Sequence, residues 1–306
     1  MHSPDAARRT GLAAALALGA LALAAPQAAH AAALNTYYER AVMVAANDRC
    51  HLFDPELSSA LASAEAQAHG AAMRSGAHDS TLDQTLRRAQ TRAGAASCNS
   101  PDITTAAGRV RSAFASYSKL QRMSFPGDTA DWTAARASPQ RYMVWKLSQT
   151  ARFGWNSAVF GLAGRDGPSV LLTVATFSDK AQPYTAQLVL RDRTLAPEPF
   201  LNMIRASPGA ALPLAARMPP RSATSAFLPE ARSGADGLLL PAGTRDGVAF
   251  RFPKAASAAL AALDPREAVA IDFVFAGNNG ADQVRTAFFE IGDFAAGRAF
   301  LTAAQR

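Results

Sequence analysis

The chain has 306 residues, 49% of them hydrophobic, with 31 Lys and Arg against 24 Asp and Glu for a net charge of +7. That is enough apolar chain for one large core or two smaller ones, which excludes a disordered protein and a disulfide-dense miniprotein. The basic balance permits contact with anionic polymers or membranes without requiring it, and only four of the basic residues are Lys (Lys119, Lys146, Lys180 and Lys254).

Residues 1–31 read as an export signal. Arg8 and Arg9 precede an apolar stretch from Leu12 to Ala25, Pro26 breaks it, and Ala29-His30-Ala31 fits the small-x-small cleavage rule. As a helix that stretch rises about 21 Å, short of the roughly 30 Å hydrocarbon core of a bilayer, so cleavage near Ala31 is expected rather than anchoring. Gly11 after the paired arginines favours Sec over Tat export. Cleavage removes two Arg and one Asp, so the net charge falls by one to +6. The mature protein is expected in the periplasm or outside the cell, and no later segment is long and apolar enough to span a bilayer. In such a compartment the two cysteines, Cys50 and Cys98, are expected to form a disulfide. His51 beside Cys50 leaves a reactive or metal-binding thiol as the alternative.

Residues 32–125 read as a helical domain of four helices. Asp54-Pro55-Glu56 and Ser100-Pro101-Asp102 each place a cap before a proline and an acid, and Ser80-Thr81-Leu82-Asp83 resembles a capping box. Leu57, Leu61, Ala64 and Ala68 make one apolar stripe; Leu82, Leu86, Ala89 and Ala93 a second; Ile103, Ala107, Val110, Phe114 and Tyr117 a third. Gly76 is placed to stop the second helix. Charge divides along this domain. Acids predominate from Glu39 to Asp83, whereas Arg87, Arg88, Arg92, Arg109, Arg111, Lys119 and Arg122 face one acid, Asp102. If these bases share a face, they form a contact for phosphate groups of envelope lipids or for acidic polymers. Few aromatics lie among them, so nucleic acid is not the expected partner.

Residues 126–140 read as a linker, with a short helical piece holding Trp132 and Arg136. Residues 141–306 read as a strand-rich domain. Met143, Trp145 and Leu147 alternate with polar neighbours, Phe153 to Leu162 and Val170 to Phe177 are strand-like, and Arg165-Asp166-Gly167 is a hairpin turn between them. Tyr184 to Leu190 alternates again, and Pro199 to Ile204 reads as a short helix. Arg205 to Gly237 is rich in Pro, Ala and Arg, too long for a structureless loop in a compact domain. Strands are expected at Leu238 to Leu240, Val248 to Phe252, Val269 to Phe275 and Val284 to Ile291, with a small helix at Ala255 to Leu263. Gly277-Asn278-Asn279-Gly280 turns the chain between the last two strands, and Asp293 caps a terminal helix. The fold class is therefore α+β: an N-terminal disulfide-braced helical bundle, then a C-terminal antiparallel β-sandwich or open barrel with a terminal helix.

The order Val248-Ala249-Phe250-Arg251-Phe252, Ala258 to Leu263, Val269-Ala270-Ile271-Asp272-Phe273, then Gly292-Asp293-Phe294-Ala295-Ala296-Gly297 resembles the C-terminal part of the invasion-associated locus B family of exported bacterial proteins. The resemblance implies a periplasmic or surface β-sandwich with no known enzymatic activity, and it transfers no functional residue. Two features depart from it: members of that family carry cysteines within the sandwich and lack a long helical preface.

Catalytic patterns are scarce. His51, His69 and His78 form no His-Glu-x-x-His pattern, so no metal site and no cofactor is expected. Ser116-Tyr117-Ser118-Lys119 matches Ser-x-x-Lys, but it falls late in a helix, and no lysine is followed by the Thr-Gly or Ser-Gly that such enzymes need. There is no phosphate-binding loop, dinucleotide fingerprint or Gly-x-Ser-x-Gly elbow. Carboxylate chemistry on an envelope polymer is the alternative function, with Glu230, Asp236, Glu267, Asp272, Glu290 and Asp293 available. Trp132, Trp145 and Trp155 cluster in the sequence near the domain junction, as core or as a binding platform. The leading expectation is a non-enzymatic binding or structural protein of the envelope, with no nucleic acid as partner.

Overall fold

The computed structural model describes residues 25–115, 117, 119–136, 141–165, 167–203, 212–277 and 280–302. Several expectations lie outside those residues: most of the apolar export stretch, Ser116 and Ser118, Asp166, Ile204, Pro208, Asn278 and Asn279.

Four helices come first: α1 (Ala25–Cys50), α2 (Pro55–Arg74), α3 (Asp79–Ala95) and α4 (Pro101–Phe114). The caps are those the sequence signals. Asp54 accepts the Leu57 N–H at 2.8 Å and Ser100 accepts the Ile103 N–H at 3.3 Å, each followed by proline at the first helical position. Gly76, at φ +99°, takes the left-handed turn after α2. α3 starts at Asp79 rather than after Ser80. The His78 carbonyl accepts the Thr81 and Leu82 N–H groups, and the Asp79 carboxylate faces the positive end of the helix dipole. α1 passes through Ala31, the position at which the sequence leads one to expect cleavage. Cys50 and Cys98 are joined in a disulfide, their Cα atoms 5.6 Å apart, which ties the end of α1 to the turn before α4.

The remainder is two antiparallel sheets packed face to face. The larger contains β1 (Arg122–Phe125), β2 (Trp132–Ala135), β3 (Val144–Phe153), β4 (Asn156–Gly164), β5 (Val170–Thr176), β8 (Ala231–Gly234) and β9 (Val248–Phe252), in the order β1-β2-β3-β4-β5-β9-β8. The smaller contains β6 (Thr185–Arg191), β7 (Thr224–Phe227), β10 (Ala268–Phe275) and β11 (Gln283–Glu290), in the order β11-β10-β6-β7. Phe160, Phe250 and Phe252 from one sheet meet Ile271, Phe273 and Phe289 from the other in a single core. Two more helices, α5 (Lys254–Ala261) and α6 (Phe294–Thr302), complete the fold.

Some stretches differ from their sequence expectation. The segment expected as linker and helical piece carries β2, and β1 lies inside the stretch assigned to the helical domain. The reason is alternation: Phe125, Trp132 and Ala134 turn into the sandwich core while Ser124 and Thr133 turn out. The run Phe153 to Leu162 is not one strand. Gly154 and Trp155 make a two-residue hairpin, Gly154 at φ +60°, and Phe153 pairs with Asn156. Leu238–Leu240 is no strand either. Gly237–Leu239 is a 3-10 turn capped by the Asp236 carboxylate on the Leu238 N–H. The described part of the Pro-rich stretch holds two 3-10 turns, β7 and β8, and its first turn lies over β10. Arg217 from that turn is buried against Glu290, and Arg221 reaches Asp272. This cover explains why every residue of β10 is buried.

The helices do not stand apart from the sandwich. α2 packs on α6, where the Ser63 hydroxyl donates to the Ala296 carbonyl at 2.9 Å and Tyr117 donates to Ser63 at 3.1 Å. Arg74 grips Asp293 with two bonds, at 2.6 and 3.1 Å. Arg136 lies 3.7 Å over the Phe300 ring.

Candidate functional site

The seven basic residues of the helical half do not gather in one place. Arg87, Arg88 and Arg92 line one shallow, open groove on α3, together with Tyr38 of α1, Gln84 and Thr91. Their spacing puts them along one side of α3, away from the buried stripe Leu82, Thr85, Ala89 and Ala93. The Arg88 guanidinium sits 5.5 Å over the Tyr38 ring, and Arg92 makes an exposed ion pair with Asp102 at 3.3 Å. The other four are elsewhere. Arg111 donates to the Leu52 carbonyl at 2.8 Å, stacks over Phe53, and lines a separate groove of about 240 Å³ with Glu56 and Tyr117. Arg109 is exposed on α4, Lys119 is exposed in the turn after it, and Arg122 opens β1 at the edge of the sheet.

The six carboxylates considered for hydrolysis are all engaged. Glu230 faces Arg251 at 3.6 Å, and Asp236 caps its turn. Glu267 holds Arg191 through two buried bonds of 2.7 and 2.8 Å. Asp272 accepts the Thr286 hydroxyl at 2.6 Å. Glu290 has no exposure and accepts five bonds, from the Asp128, Thr129 and Ala130 amides, the Thr129 hydroxyl and Arg217. Asp293 is held by Arg74. Glu290 is close enough to Asp128 and Asp293 for its charge to act on both. Burial raises the Asp128 and Asp293 carboxyls above their usual range, and the charge of Glu290 adds to both, but Arg217 and Arg74 offset it. The three tryptophans also separate. Trp132 is core, its indole N–H donating to Ile291 at 2.8 Å; Trp145 donates to Leu239; Trp155 is 92% exposed at its hairpin tip.

A larger opening lies where the helices meet the sandwich. It is a cleft of about 760 Å³ between α1, α2 and the start of α3 on one side, and the loops after β6, α5 and β11 on the other. Tyr37 of α1, Glu65 and His69 of α2, and Asp79 and Asp83 of α3 form its helical wall. Glu65 and His69 are one turn apart and so share a face of α2. The Tyr37 ring meets His69 edge to face, centroids 5.1 Å apart. Burial raises the Glu65 carboxyl above its usual range and lowers the His69 imidazole, against the pull of Asp264, Asp79 and Asp83. Burial, with the charges of Glu65 and Asp83, raises the Tyr37 phenol to about 12. No known family, characterised protein or solved structure matches the chain. Its chemistry therefore rests on its own residues. His69 was visible in the sequence as an isolated histidine. Glu65 is set beside it by helix spacing alone, a signal the sequence carries, whereas Tyr37 comes beside it only through the pairing of α1 with α2. Among the described residues no three His, Cys, Asp or Glu side chains are placed to hold a metal ion.

Proposed function

We propose that this is an exported, non-enzymatic binding protein of the bacterial cell envelope that contacts an anionic component through the arginine groove of α3. One observation carries the reading: Arg87, Arg88 and Arg92 line a single groove with Tyr38, open to solvent on the side of the helix that the core does not use. Guanidinium groups in a row present paired donors that fit phosphate oxygens. Other features support the setting. The disulfide is in keeping with an oxidising compartment, and no described helix is long and apolar enough to cross a membrane. A non-enzymatic role is supported by the six carboxylates, whose partners are structural. The resemblance of the C-terminal strands and helix to the invasion-associated locus B family belongs to the same proposal, since it implies an exported sandwich.

Co-sedimentation of the oxidised protein, started at Ala32, with vesicles of phosphatidylglycerol in phosphatidylcholine tests the contact. Anionic vesicles should bind it, plain phosphatidylcholine should not, and binding should weaken steeply between low and physiological salt. Replacing Arg87, Arg88 and Arg92 together by Gln should abolish it, while Arg109→Gln should not. Equal binding by the triple variant would refute the groove. Binding to a soluble acidic polysaccharide but not to vesicles would move the same site from lipid to polymer.

A further inference from the structure

We propose that the cleft between the helices and the sandwich is a second, separate binding site, which takes an aliphatic amine with its ammonium group against Tyr37, Glu65 and His69. The site lies outside the arginine groove, shares no residue with it, and has the opposite charge.

Charge within the cleft is lopsided. On the sandwich side, Asp293 is neutralised by Arg74 and Asp264 by Arg266, each at 2.6 Å, while Arg191 is taken by Glu267. Only Arg193 and Glu198 remain there, one of each sign. On the helical side Glu65, Asp79 and Asp83 make no ion pair among the described residues and have no cation in that wall, and only Asp79 feels the charge of Arg266 from across the cleft. A ligand meeting that wall encounters net negative charge.

Tyr37 gives independent support. The residue is 2% exposed, yet its hydroxyl makes no hydrogen bond among the described residues. No fully enclosed side-chain polar atom of the described chain lacks a partner, so this hydroxyl keeps its small accessible surface, and Tyr37 lines the cleft. A phenol with almost all of its ring buried and its oxygen open to the cleft, without a protein partner, is free to pair with what enters there. Glu65 and His69 likewise make no hydrogen bond there. A phenol oxygen, a carboxylate and a neutral imidazole each accept a hydrogen bond, and an ammonium group has three N–H donors. Ala66, Met73 and Leu82 on the helical wall, with Leu260 and Pro199 opposite, add apolar surface that suits an alkyl stem. The lack of a metal-holding trio among the described residues favours an organic cation over a metal ion.

Pentamethylenediamine is the probe, pentanediol its neutral match, and the His69 imidazole signal in a carbon-proton spectrum of the oxidised, Ala32-started protein the local readout. At neutral pH the diamine should bind by calorimetry and shift the His69 signal, and the diol should do neither. Glu65→Gln removes a charge that burial disfavours, so it should fold, and it should weaken the diamine about tenfold or more, as expected for a lost hydrogen bond to a charged group. Tyr37→Phe should weaken it by a smaller factor. The triple arginine variant should bind the diamine unchanged. If diol and diamine shift His69 equally, or if Glu65→Gln leaves diamine affinity intact, the amine assignment is overturned. If neither probe moves His69, the cleft is not an amine site; vesicle binding through the arginines is unaffected by either result.

Discussion

His69 and Glu65 stand one turn apart on α2, and burial shifts them in opposite directions. An imidazole whose folded pKa is lowered binds fewer protons than in the unfolded chain, where its value is about 6.5. Stability therefore rises with pH through the window below about 6.5, and acidification from neutral destabilises the fold as the unfolded state takes up the proton. A carboxyl whose folded pKa is raised does the reverse: the folded state holds its proton longer, so stability falls as pH rises through the window above the ordinary Glu value. Melting temperatures across acidic to neutral pH should show both. His69→Gln should flatten the loss below neutral pH. Glu65→Gln should raise the melting temperature at neutral pH and lose that advantage once both states of the wild type are protonated. At this scale the sequence was partly legible. It showed the histidines, the acids and the arginine run, but a side chain's environment comes from helices distant in the chain. That is why Arg111 was grouped with Arg87 although it turns to the Leu52 carbonyl, and why Tyr37 passed unnoticed.

At the scale of elements, local signals held where local chemistry decides. The Asp54-Pro55 and Ser100-Pro101 starts, the Gly76 stop and the terminal helix stand as expected, because caps and left-handed turns depend on a few neighbouring residues. β2 was hidden because four residues carry too little alternation to read, and its strand character is supplied by β1 and β3 on either side. The hairpin at Gly154-Trp155 was hidden for a different reason: a large aromatic in an apolar run looks like strand, although this one faces water. The disulfide is the covalent element. It closes a loop across a sequence separation of 48, for which the chain-entropy model gives about 4 kcal/mol. Cys50→Ser with Cys98→Ser should lower the urea midpoint accordingly. Amide exchange should quicken first in α1, α3 and α4, since no cysteine lies in the sandwich. Unchanged exchange in those helices would mean that packing alone fixes them.

For the whole molecule, the joint between helices and sandwich matters most, and it was the least legible feature. The sequence reads as having a boundary after residue 125, yet α2 is seated on α6 by the buried hydrogen bond from Ser63 to Ala296, with Tyr117 bonded to the same hydroxyl. Gly70 makes this possible. A Cβ there would come within 2.5 Å of the Asp293 carboxylate that Arg74 holds. A helical Gly→Ala change usually gains roughly 0.5–1 kcal/mol. Here the clash should reverse the sign, with Gly70→Ala costing about 1–3 kcal/mol, as overpacking does. Gly94→Ala in α3, where nothing lies within 4 Å, is the control and should be neutral or stabilising. Thermal denaturation of the two variants reads the difference directly.

The bond from Ser63 to Ala296 spans 233 residues, and its consequence concerns time. A chain made from its N-terminus delivers α2 long before α6. Until α6 arrives, the side of α2 that carries Ser63 has nothing to rest against, and the small residues around it stay wet. Long-range closures of this kind form late and leave apolar surface open meanwhile. The growing chain therefore carries this side of α2 uncovered until α6 is made, the interval in which a holding chaperone has most to protect.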